Sequence, residues 1–172
     1  MNKKILSALI SAAAIGFATY GVNIKAATDT GNAAANIVTA ITIAETTGMN
    51  FGNISVGASG GTATLGTGDS ITSVTGDVVA EVGGTVTSAD FGLTGANVGY
   101  TITMPGSITV SGPGTDMTID TFTFLAEDAA TDGTGTMSGN AGTMTIGGRL
   151  AVSGSQTGGA YSGTYTITAL YE

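Results

Sequence analysis

The side chains that could do chemistry here are few in kind: twelve carboxylates, five tyrosines, abundant hydroxyls and four cations, with Cys 0 and His 0. Thiolate nucleophiles, imidazole bases, disulfides and histidine metal ligands are therefore excluded outright. Two carboxylates suffice for glycoside hydrolysis, and Asp116 with Asp120, or Glu127 with Asp128, lie close enough in sequence to raise the question. Nothing in their surroundings marks them for burial, and acids in the loops of an exported protein serve solubility, so the chain is read as non-enzymatic. Calcium takes oxygen ligands, which leaves Glu127, Asp128 and Asp132 as a candidate loop, although their spacing is not that of an EF-hand. The glycine clusters Gly57 to Gly61 and Gly133 to Gly139 lack the lysine and following helix of a phosphate loop and read as turns, so no cofactor is expected. Tyr161, Tyr165 and Tyr171 could form a sugar-binding face; the apolar parity of the last two favours core packing.

Charge narrows the partners. Three of the four cations, Lys3, Lys4 and Lys25, lie in the first 26 residues. That stretch has a positive start, an apolar run from Ile5 to Gly16 and a small residue at Ala26, the pattern of a secretory signal. Its removal leaves Arg149 as the sole cation against all twelve acids. Nucleic acid, which is bound mainly through cationic contacts to phosphate, is excluded as a partner. No later stretch is apolar enough to span a membrane, so the mature chain is expected to be exported, passing through the periplasm to the cell surface or beyond.

The elements that must carry these groups are strands. The 31 Thr and 29 Gly make up about a third of the 172 residues; threonine suits strands and glycine at this density opposes helices. Apolar residues alternate with polar ones in short runs separated by Gly, Asn, Asp and Ser, an all-β pattern with enough strands for one two-sheet sandwich. In Val98 to Met104 one parity is apolar and the other is not. From Met117 the apolar phase shifts, Met117 and Ile119 first, then Phe122 and Phe124 on the opposite parity, which predicts a bulge or a crossing between sheets. Ala126 to Gly142 reads as an exposed loop.

The two ends carry the most specific signal. At the carboxyl end Tyr165, Ile167, Ala169 and Tyr171 share a parity, Tyr171 is penultimate and Gly159 is fourteenth from the end. This resembles the chaperone-recognition strand of chaperone–usher pilins, and Met49 to Ile54 resembles an early pilin strand. The mature chain is also similar to the exported bacterial family called domain of unknown function 4402, through Phe51-Gly52, Asp90 to Gly95, Tyr100 to Pro105, Gly147 to Leu150 and Gly163 to Tyr171. The pilin resemblance implies an immunoglobulin-like sandwich that lacks one strand and is completed by strand exchange, with a periplasmic chaperone and an outer-membrane usher as partners besides copies of the chain. At the amino end Ala33, Ala35, Ile37, Thr39, Ile41 and Ile43 fall on one parity ahead of the domain and form the candidate donor strand. The resulting division is a signal at 1–26, an extension at 27–44 and a pilin-like domain at 45–172. The alternative is that Ile37 to Glu45 is the first strand of a self-complete sandwich that acts as a secreted monomer and binds carbohydrate or a surface protein.

Overall fold

The computed structural model describes residues 25–172; the proposed secretory signal lies outside them, except for its last two residues. The chain divides into the units Met1–Asn36 and Ile37–Glu172. The described part of the first, residues 25–36, is exposed and joins no strand.

The second unit is all-β, with no helix among the described residues. Its strands are β1 (Thr42–Thr47), β2 (Asn50–Leu65), β3 (Ile71–Thr87), β4 (Ala89–Thr94) and β5 (Gly99–Thr103), then β6 (Ile108–Val110), β7 (Met117–Ala126), β8 (Thr134–Thr136), β9 (Ala141–Val152) and β10 (Thr168–Tyr171). They form two antiparallel sheets. One has seven strands, with the path β1-β4-β9-β2-β3 and with β6 and β7 joined through β9; the other has three, in the order β10-β5-β8.

Strand β9 organises the larger sheet. One of its edges is taken first by β4, from Ala141 to Ile146, and then by β2, from Gly148 to Val152; its other edge pairs with β7. Its inward parity, Met144, Ile146, Leu150 and Val152, is buried, as the period-two pattern of the sequence requires. The phase shift in β7 is a bulge: the register with β9 slips between Asp120 and Thr123, and Thr121 takes a positive φ of 51°. The extra residue lets Met117 and Ile119 on one side and Phe122 and Phe124 on the other turn inward despite their opposite parity.

Three sequence expectations differ from the structure. Gly57 to Gly61 is not a turn between strands but lies inside β2, where the β2–β3 hairpin bends sharply. At the bend Gly60 and Gly76 have positive φ, and a Cβ on Gly61 would sit 1.9 Å from the Thr75 carbonyl oxygen, so only glycine fits. The segment Ala126 to Gly142 contains β8 and the buried Met137 rather than being loop throughout. Finally, β1 starts at Thr42, inside the stretch 27–44 assigned to the extension.

The bent hairpin closes over on itself. Asp69, in the turn between β2 and β3, accepts hydrogen bonds from the N–H of Ser88 at 2.8 Å and from its hydroxyl at 2.7 Å, tying the turn to the far end of β3. These bonds hold the Asp69 carboxyl below the usual carboxylate range. The hairpin is thereby fixed as an arch with an apolar lining.

Candidate functional site

Two apolar clusters form from these elements. The first gathers Phe91, Leu93, Tyr100, Ile102, Met144 and Ile146 from both sheets, and Ile41, Ile43, Ile167, Ala169 and Tyr171 pack against it. It is covered by the chain itself except where Phe91 and Ile167 border a smaller cavity. The second gathers Phe51, Ile108, Val110, Met117, Ile119 and Leu150 under the arch, with Tyr161 and Tyr165 at its margin. It opens into a groove of about 890 Å³.

One wall of that groove is a strand edge unpaired toward it; the other is irregular chain. From Asn50 to Val56, β2 pairs with β3 on one edge, and among the described residues no strand pairs with its other edge. The reason lies in β9, which follows β2 from Leu65 back to Gly61. Beyond it the Ser155 N–H donates a last bond to the Gly57 carbonyl before the chain turns away. The opposite wall is the segment 156–165, which forms no strand and whose one β-bridge joins Ser162 to Ser111. Asn50 to Val56 offer an edge of at most roughly 23 Å, kinked at Gly52, whose φ is 71°. A second cavity of about 360 Å³ continues the groove past Met49 and Tyr165 toward Glu45 and Ile167.

The groove's far wall is held by polar contacts. Gln156 donates through Nε2 to the Thr115 carbonyl and, at 2.9 Å, to the Tyr161 hydroxyl, which itself donates to the Thr157 carbonyl at 2.8 Å. Gly159 has a φ of 148° and abuts Pro113, where a Cβ would lie 2.6 Å from the ring. Tyr165 packs edge-on to Phe91, with ring centroids 6.4 Å apart, and its hydroxyl donates to Glu45 at 3.3 Å. Burial, and then the nearby Glu45 charge, push the Tyr165 hydroxyl well above the ordinary tyrosine range.

The sequence-derived residues are thus split. Gly159 and Tyr165 line the groove, while Ile167, Ala169 and Tyr171 pack on the closed core, the last two within β10. Of the candidate donor strand, Ile43 lies in β1 opposite Leu93, and both Ile41 and Ile43 pack into the chain's own core. Thr39, Ile37, Ala35 and Ala33 join no strand, and Ile37 is 94% exposed. The sequence places Met49, Ile108 and Met117 in strands but does not mark them as groove residues, because a groove-facing apolar residue and a core-facing one have the same parity.

Several carboxylates make contacts within the fold. Asp120 and Arg149 face each other across β7 and β9 in a two-pronged pair at 2.9 and 3.1 Å, and the arginine holds the Asp120 carboxyl below its ordinary range. Asp128 and Asp132 accept N–H groups of their own turns. Among the described residues no three acidic side chains gather as a metal site would require. The three late tyrosines each spend their hydroxyl on a different part of the chain.

Residues 41–171 match the family described as Domain of unknown function (DUF4402). The chain belongs to this family. The matched stretch begins one residue before β1 and ends with β10, so the family domain spans both sheets, the groove and the closed core. No curated protein and no solved structure matches the chain.

Proposed function

We propose that this protein is the structural subunit of an extracellular filament, an immunoglobulin-like sandwich completed when its groove receives the leading segment of another copy. The observation that carries this reading is the pairing of an open groove with an apolar floor, bordered by the free edge of β2, with a leading segment that joins no strand and exposes Ile37. Strand addition uses both features: the ladder supplies affinity, and alternate side chains enter the groove.

The donor under this reading is shorter than the sequence suggests. Ile41 and Ile43 are engaged in their own domain and the Thr39 carbonyl is bonded by Tyr171, leaving Ala33, Ala35 and Ile37 as the inserted parity. Burial of Ile37 contributes about 1.5–3 kcal/mol, the alanines contribute less, and the backbone ladder supplies the remainder. A contact made head to tail between identical chains yields a fibre where its rotation does not close a ring, which is the geometry a filament takes. The pilin resemblance adds a periplasmic chaperone and an outer-membrane usher as partners, and adhesion, biofilm formation or surface coating as the role. The leader with Lys3 and Lys4 supports export to the cell surface.

The test is Ile37→Asp in the exported protein. An unpaired charge in an apolar groove opposes insertion by about 3 kcal/mol or more, so filaments seen by electron microscopy are expected to disappear while export and the melting temperature of the subunit stay unchanged. Filaments of normal length in the variant overturn the proposal. Wild-type protein that remains monomeric at high concentration would instead favour a self-complete secreted module.

A further inference from the structure

The hydroxyl of Tyr171 makes two bonds that join three distant parts of the chain. It donates to the Thr39 carbonyl at 2.6 Å and accepts the Ala96 N–H at 2.6 Å. The approach is possible only because residue 95 is glycine, where a Cβ would lie 2.1 Å from the tyrosine oxygen. Tyr171 is itself anchored, since β10 pairs with β5 and the next residue, Glu172, donates its N–H to the Gly99 carbonyl and accepts the Thr101 hydroxyl through its side chain.

From this geometry we infer that Tyr171 is a latch that pins the root of the leading segment at Thr39 and so reserves the groove for a second copy of the chain. The inference rests on the filament reading and names the source of the inserted strand. Thr39 sits at the amino-terminal end of β1, beside the turn after β4, because Thr42 pairs with Thr94. The groove begins at the other end of β1, with Glu45 and Met49. Six residues separate Thr39 from Glu45, about 20 Å where the chain is extended, and β1 fixes the last four of them. Ile37 is two residues from the pinned carbonyl and reaches only about 7 Å from it. The chain's own groove is out of its range as long as the latch and β1 hold, whereas a second molecule can approach that groove freely.

The chain's lack of cysteine allows a clean test. Val38→Cys carries the only thiol; Val38 is exposed and on the parity opposite Ile37, so the change leaves the inserted side chains intact. Labelled with a benzophenone maleimide and irradiated, the full chain is expected to crosslink into the groove peptides as dimers and longer species. Groove crosslinks found within single chains overturn this inference and leave the groove as a strand acceptor. An absence of groove crosslinks of either kind removes the filament reading as well. The latch is read separately by hydrogen exchange in Tyr171→Phe, which keeps the ring and loses only the hydroxyl. Exchange of the Ala96 amide and of β1 is expected to rise about tenfold relative to β9; unchanged exchange at both overturns the latch.

Discussion

The closed core and the groove are built from the same materials with opposite results. Both draw on β9, whose Met144 and Ile146 serve the first and whose Leu150 serves the second. Around Ile146 every neighbouring position is filled: β4 on one edge, β7 on the other, and the three-stranded sheet packed through Tyr100 and Ile102. Around Leu150 the hairpin bends away at Gly60 and Gly61, the chain leaves β2 after Ser155, and one strand position beside Asn50 to Val56 is left open. A single displaced ladder separates a finished core from an unfinished one, without any change in amino-acid type.

The largest effect expected from probing this contrast is in the closed core. Ile146→Ala removes a side chain with no solvent contact, and its cavity should lower stability by about 2–5 kcal/mol, measured by denaturant unfolding of the monomer. Met117→Ala, in the groove lining, should destabilise the monomer less, by about 1 kcal/mol, because the side chain already borders solvent and the site can relax. The same substitution should weaken assembled material more than it weakens the monomer; equal losses would mean that nothing enters the groove.

A smaller effect is expected from pH. Asp69, Asp77, Asp120 and Asp132 all have carboxyls held below their ordinary range, by hydrogen bonds from Ser88, Ser59, Arg149 and Thr134 respectively. A depressed folded-state value means that the stabilisation is fully present above the unfolded carboxylate range, near pH 4, and is lost as pH falls through the folded values. Thermal stability should therefore vary little from pH 5 to pH 8 and decline below about pH 4. Because Asp69 and Asp77 tie down the arch, hydrogen exchange in β2 and β3 should rise at a higher pH than exchange around Ile146. Simultaneous loss of both regions would show that the arch has no separate acid sensitivity.

Much of the fold is legible in the residues. The alternation in Tyr100 and Ile102 fixes which face of β5 is buried, and the slip from Ile119 to Phe122 foretells the bulge at Thr121. Less of the site is legible. Period-two patterning tells which side of a strand is apolar but not whether another strand of the same chain covers it, so Met117 and Met144 look alike in sequence and end in different surroundings. The glycines at 60 and 61 are visible as turn formers, yet whether they end a strand or bend one depends on the partner across the ladder at Thr75 and Gly76.

The sequence by itself determined the class of chemistry and of fold. Without cysteine or histidine, with one cation after residue 26 and with threonine alternating against apolar residues, little but a β-structure bearing hydroxyls and carboxylates was possible. Only the tertiary structure decided that Ile41 and Ile43 belong to their own domain, that Tyr171 bonds to Thr39, and that β2 keeps one edge free. Those outcomes depend on contacts between residues as far as 132 positions apart, and local preference carries no information about which distant backbone group a hydroxyl or a strand edge will meet.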